Sequence, residues 1–146
     1  MNAKKKFHDT AIVIETGAMI EFLENTELGK AFSANILENS RFQRFYVSPL
    51  TDTELKYVLC RRNGYLEAKK IVSDILKNFI ICSESHLRDE AIRLKCNFPI
   101  SLADCYSLAV GIILEIPVCM KKEEEVNRIF SELISLVKII FIDDYV

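Results

Sequence analysis

Residues 11–18 read Ala11-Ile12-Val13-Ile14-Glu15-Thr16-Gly17-Ala18. A continuous apolar run rich in β-branched side chains describes a short strand covered on both faces, because a strand with one wet face would alternate. The run stops at an acid. Behind it, Gly17–Glu24 places Ala18, Met19, Phe22 and Leu23 at helical spacing. A buried strand feeding a helix is the opening half of a βαβ unit, so later strands are expected to lie parallel to the first.

Outward from there the alternation continues. A second helix is expected over Glu27–Asn39, on the stripe Leu28, Phe32, Ile36 and Leu37, and a strand over Arg44–Ser48 before Pro49. Helices are expected over Thr51–Arg62, with Leu55, Val58 and Leu59 inward, and over Tyr65–Lys77, with Leu66, Ile71, Ile75 and Leu76; Asn63-Gly64 separates them. Then come an expected strand over Phe79–Cys82, a helix over Ser85–Cys96 and a helix over Ser101–Leu114 that is apolar on nearly every side. A strand over Pro117–Met120, a helix over Glu123–Leu133 and a strand over Val137–Ile142 complete the pattern. Apolar strands alternating with helices give an α/β fold of three layers, α/β/α, around a central parallel sheet of about five strands. No repeat, low-complexity tract or linker divides the chain, so residues 1–146 are expected to form one domain opened by a polar tail over residues 1–9.

The 19 basic and 21 acidic side chains leave a net charge of −2, which excludes the global basic field of a dedicated DNA-binding domain. Half the residues are hydrophobic and mean hydropathy is +0.15, apolar enough to point to a self-association surface beside the buried sheet. The longest nearly apolar stretch, Cys105–Leu114, is too short for a membrane span of about 20 residues, and no apolar signal segment follows Lys4, Lys5 and Lys6. A cytoplasmic protein with no membrane partner is expected. The five cysteines (Cys60, Cys82, Cys96, Cys105 and Cys119) are odd in number and form no C-x-x-C pair; they read as buried, reduced thiols. A single glutamine, Gln43, and the lack of tryptophan lean toward a thermophilic source.

In open parallel sheets the functional crevice lies beyond the carboxyl ends of the strands, and acids collect there in this chain. Glu15 leaves the first strand; alone, it reads as a carboxylate that turns to solvent or caps the next helix. Glu54 sits in Thr51-x-x-Glu54, the form of a capping box. Asp104, in Ser101-x-x-Asp104, is also cap-like, but it opens a helix apolar all round, so its first turn faces a crevice rather than open water. Lys121-Lys122-Glu123-Glu124-Glu125 reads as a solvated run with acids at a helix start. Glu15, Glu54 and Asp104 gathered on one rim would repel one another, and a divalent cation relieves that repulsion. All-oxygen donors suit Mg²⁺ or Mn²⁺ rather than zinc, and neither His8 nor His86 has a zinc-ligand spacing with a cysteine.

Three segments, in this order, resemble the PIN domain: Glu15-Thr16-Gly17-Ala18 after a strand, Thr51-x-x-Glu54-Leu55-x-Tyr57-Val58-Leu59-x-Arg61, and Ser101-Leu102-Ala103-Asp104-x-x-x-Leu108-Ala109 before a strand. More narrowly they resemble the VapC-type toxins of prokaryotic, by preference archaeal, toxin–antitoxin pairs. The resemblance extends from Ala11 to Phe141, with Ser101–Ala109 its most specific segment. It implies a PIN-like α/β/α fold and an Mg²⁺- or Mn²⁺-dependent endoribonuclease that hydrolyses RNA by in-line displacement at phosphorus. It also implies a homodimer inhibited by an antitoxin protein. Carried over, Glu15, Glu54 and Asp104 are catalytic metal ligands, Glu123 completes the metal set, and Thr16 orients a ligand or water. Arg61, Arg62, Lys121 and Lys122 are the candidate contacts to the phosphates of single-stranded RNA. Most of Met19, Phe22, Leu28, Phe32 and Ile36 are expected to be core, with a subset left to form a dimer face or antitoxin groove together with Phe42, Phe45 and Tyr46.

The chain departs from the family pattern in three places. Glu15 stands where Asp is usual and is one methylene longer; Gly17 stands where Ser is frequent; and Lys122 falls on the fourth acid unless the register shifts by one, to Glu123. These departures keep open a catalytically impaired PIN-like module that binds RNA or a protein. A phosphorelay receiver would need an acid at the end of the third strand, where Phe79-Ile80-Ile81-Cys82-Ser83 has none. A Rossmann-type nucleotide binder would need a glycine-rich phosphate loop, which the four glycines do not form.

Overall fold

The computed structural model describes residues 10–146; the tail expected over residues 1–9 lies outside the described residues. Strand β1 is Ala11–Ile14, fully buried. It is followed by α1 (Thr16–Leu23), α2 (Glu27–Phe32) with a π-helical turn over Ser33–Leu37, β2 (Arg44–Val47), α3 (Pro49–Asn63), α4 (Tyr65–Leu76) and β3 (Ile80–Ile81). The second half holds α5 (Glu84–Asn97), α6 (Leu102–Leu114), β4 (Val118–Met120), α7 (Glu124–Arg128), α8 (Phe130–Leu133), β5 (Ile139–Phe141) and a 3-10 turn over Ile142–Tyr145. The strands form one sheet in the order β3-β2-β1-β4-β5, and every neighbouring pair is parallel.

The two-residue period of the strands divides the core into two layers. Ala11 and Val13 of β1 and Val118 and Met120 of β4 face one cluster, filled by α5, α6, α7 and α8 through Leu94, Leu108, Val126 and Leu133. Ile12 and Ile14, with Cys119, face the other, filled by α1, α2, α3 and α4 through Met19, Phe32, Leu55 and Val72. Helix α6 is buried without a break from Asp104 to Gly111, as its all-round apolar sequence requires.

Several boundaries and faces differ from expectation. Helix α3 starts at Pro49, with the Ser48 hydroxyl accepting from Thr51 N at 3.3 Å. Proline suits a first helical position, and the serine before it makes the cap. Gly64 does separate α3 from α4, at φ 82°, a left-handed value that a Cβ would strain. Leu66 is 80% exposed rather than inward. The inner stripe of α4 is Ala68, Val72 and Leu76, and Leu66 lies about 200° round the helix from Ala68. The expected cover on both faces fails at the sheet edge, where β3 is two residues long and Ile80 and Ile81 are each 45% exposed. The helix expected over Glu123–Leu133 is interrupted at Ile129, φ −116°. Met19, Phe32 and Ile36 are core, as expected for most of their set, and Phe42 and Tyr46 are buried too; Phe22, Leu28 and Phe45 are the subset that stays partly exposed. All five cysteines are free thiols; Cys105 and Cys119 are buried, but Cys96 is exposed. Among the described residues no helix is long and apolar enough to cross a membrane.

The strand order sets the place of the site. The chain builds β1, β2 and β3 outward in one direction, then returns to add β4 and β5 on the other side of β1. The crevice at such a reversal lies at the carboxyl end of β1, where Glu15 follows the strand.

Candidate active site

Glu15, Thr16, Gly17, Glu54, Ser101, Asp104 and Glu123 line one pocket of about 150 Å³. They come from four stretches of chain: the turn after β1, the second turn of α3, the start of α6 and the loop after β4.

Glu15 is buried and caps α1. Its Oε2 accepts from Gly17 N at 2.8 Å, and its Oε1 accepts from Ala18 N at 2.8 Å and Lys121 N at 3.0 Å. The Lys121 ammonium is drawn away to Glu21, 2.5 Å from its Oε1, and this pair ties the loop after β4 to α1. Burial pushes the Glu15 carboxyl up to about 7; the nearby Asp104 adds to the rise, and the three N–H donors oppose it.

Glu54 is not half of a capping box. With Ser48 as the cap of α3, its Oε1 is free to accept the Thr16 hydroxyl at 2.7 Å. Thr16 Oγ1 also lies 3.0 Å from Thr51 Oγ1. One hydroxyl has one proton, so Thr51 donates in that second bond and the buried chain Thr51–Thr16–Glu54 is complete.

Asp104 sits in the first turn of α6, whose cap is Ser101: Asp104 N donates to Ser101 Oγ at 3.1 Å. The cap-like reading thus holds for Ser101. The Asp104 carboxylate is 5% exposed, and its Oδ2 is buried with no hydrogen-bond partner. Burial pushes this carboxyl up to about 6; Glu123, Glu54 and Glu125 add to the rise against the Ser101 hydroxyl.

The loop after β4 separates its two candidates for the fourth acid. Lys122 turns to the C-terminal 3-10 turn: its N donates to Asp143 Oδ1 at 2.7 Å, and its Nζ lies 2.8 Å from Asp144 Oδ1 and 5.5 Å from the centre of the Phe141 ring. Glu123 lines the pocket, with its carboxyl raised by burial and by Glu125. None of Arg61, Arg62, Lys121 and Lys122 lines the pocket. Arg62 pairs with Glu24 at 2.6 Å, and the Arg61 guanidinium stacks 4.4 Å from the centre of the Tyr57 ring. The residues that the sequence did not single out are Glu21, which anchors Lys121, and Thr51, whose place in a capping-box pattern concealed its bond to Thr16.

Among the described residues no three His, Cys, Asp or Glu side chains come close enough to hold one metal ion between them. The donor chemistry nonetheless fits a hard cation: the acids are all carboxylates, they arrive from separate segments, and one has a buried oxygen without a partner. Mg²⁺ keeps several waters and binds through one or two carboxylates, so scattered acids around a small pocket suit a hydrated ion.

Fold and pocket together define an α/β protein that concentrates carboxylates at the switch point of a parallel sheet. Residues 12–129 match the family model of the PIN domain, and the chain belongs to that family. Among solved structures it is similar to VapBC-1 from nontypeable Haemophilus influenzae, at 14% identity over 92% of this chain and 99% of that one, with a TM-score of 0.66. It is also similar to DNA-bound VapBC from Salmonella typhimurium, at 14% identity over 91% and 98% of the two chains, TM-score 0.62. A toxin–antitoxin complex from Klebsiella pneumoniae matches at 14% identity over 79% and 89%, TM-score 0.62. At these identities the likeness is one of fold. No curated protein matches the chain in sequence.

Proposed function

We propose that this protein is a Mg²⁺- or Mn²⁺-dependent endoribonuclease, the toxin of a toxin–antitoxin pair. The observation that carries the reading is the buried, unpartnered Asp104 Oδ2 in a pocket shared with Glu15, Glu54 and Glu123. An orphaned polar atom destabilises a fold, and a bound cation gives this one a purpose. The toxin role is supported by PIN membership and by solved structures of similar fold that are toxin–antitoxin complexes. An antitoxin and a second copy of this chain are the partners that follow, with exposed Tyr57, Tyr65 and Leu66 as apolar surface available to either.

In this reading water is the nucleophile, and the carboxylates of the pocket lining, with no histidine, cysteine or lysine among them, are there to hold the cation that activates it. Glu15 is held in place by three N–H donors but keeps an acceptor site on Oε2; Thr16 fixes the orientation of Glu54; Asp104 Oδ2 is open, and Glu123 lines the same pocket. A divalent cation bound there supplies positive charge at the scissile phosphate and its leaving oxygen.

The test is cleavage of single-stranded RNA by protein freed of any antitoxin, in Mg²⁺, Mn²⁺ or EDTA, beside D104A. Metal-dependent cleavage that D104A lacks supports the nuclease. Folded protein that binds RNA without cutting it supports a second reading, an impaired PIN-like binding module. What favours that second reading is the Glu15 carboxylate, committed to three backbone donors.

A further inference from the structure

We infer that Gly17 is a positioning residue for Glu15: the missing side chain at 17 is the space into which the longer acid folds back. Glu15 is the N-cap of α1, its backbone still extended (φ −85°, ψ 166°), and its carboxylate turns back over the first turn of the helix to accept from Gly17 N and Ala18 N. A Cβ on residue 17 would stand 2.7 Å from Glu15 Oε1, 3.3 Å from Oε2 and 3.4 Å from Cδ. All three nearest atoms belong to Glu15, so Glu15 is what a side chain at 17 would meet first. The end of a flexible side chain ordinarily swings clear of such a clash. Here the swing would break the bonds to Gly17, Ala18 and Lys121 N–H at a residue only 2% exposed.

The fold-back also decides which oxygen is left for a ligand. Oε1 already accepts two N–H groups and Oε2 only one, so Oε2 keeps an acceptor site. This last step rests on the proposed cation site; the coupling of the two residues does not.

The test is a double-mutant cycle of wild type, G17A, E15D and E15D/G17A, read by the thermal midpoint without metal and by Mn²⁺ affinity in calorimetry. Helix propensity alone makes Gly→Ala stabilising. The expected result is the opposite in the wild-type background: G17A lowers the midpoint and weakens Mn²⁺ binding about tenfold, as losing the support of a metal ligand does. In the E15D background, whose shorter carboxylate does not need the space, G17A raises the midpoint and leaves Mn²⁺ affinity unchanged. The inference is overturned if G17A raises the midpoint in both backgrounds, or weakens Mn²⁺ binding equally in both. Wild type that binds no Mn²⁺ contradicts the proposed cation site, while the midpoints still decide the coupling.

Discussion

The corner where β1 enters α1 and the first turn of α6 each bury a carboxylate in the same pocket, but they satisfy it differently. At the corner, Glu15 receives three backbone N–H groups from two segments and caps a helix. At α6, the cap is Ser101, and Asp104 is left with one oxygen that meets no donor. Glu15 is therefore explained by the fold as well as by the chemistry. For Asp104 the fold leaves one carboxylate oxygen unsatisfied, and leaving a buried acceptor unpaired costs about 1–3 kcal/mol.

Substitutions at the two acids break this comparison most sharply. D104N is expected to reduce metal-dependent RNA cleavage by at least about a hundredfold, while raising the unfolding free energy at mildly alkaline pH by on the order of 1–3 kcal/mol through lost desolvation and repulsion. E15Q is expected to lose on both counts: an amide NH₂ turned on N–H donors lowers stability by roughly 1–3 kcal/mol, measured by urea denaturation, and cleavage falls with it.

The pH dependence of the metal-free protein sharpens the same contrast. Both carboxyls are raised by folding, so the folded state holds their protons more tightly than the unfolded chain does. The stability they contribute is full below ordinary carboxylate values and is lost as pH rises through about 6 for Asp104 and about 7 for Glu15. The thermal midpoint is expected to fall over that range, with a smaller fall in D104N. A smaller effect belongs to Thr16: T16V removes the hydroxyl between Glu54 and Thr51, costing about 1 kcal/mol and slowing cleavage several-fold without abolishing it. The smallest belongs to R62A, which breaks an exposed pair with Glu24 and is expected to leave stability unchanged while testing any role of that cation in RNA affinity.

Much of the architecture was legible because the strands are short, apolar and punctuated. Ala11–Ile14 and the buried helix beginning at Leu102 fall where the sequence puts them. The start of α3 was not, because Ser48-Pro49 and Thr51-x-x-Glu54 are competing helix-start signals, and only packing decides that Ser48 caps. At the site, the placing of Glu15, Glu54 and Asp104 at strand ends and helix starts was enough to gather them on one rim, and the three line one pocket, with Glu123 beside them. What each oxygen bonds was not readable. Lys122 is held toward Asp143 and Asp144 while Glu123 lines the pocket, and Lys121 is claimed by Glu21; these contacts span more than twenty residues of sequence.

The most direct measurement is Mn²⁺ binding to wild type and D104N by calorimetry at mildly alkaline pH, with the thermal midpoint of each recorded in the same buffer. The expected result is that wild type binds and D104N does not, although D104N is the more stable protein without metal. Folded wild type that binds no Mn²⁺, or D104N that binds it as tightly, would contradict the claim that Asp104 is held unsatisfied for a cation.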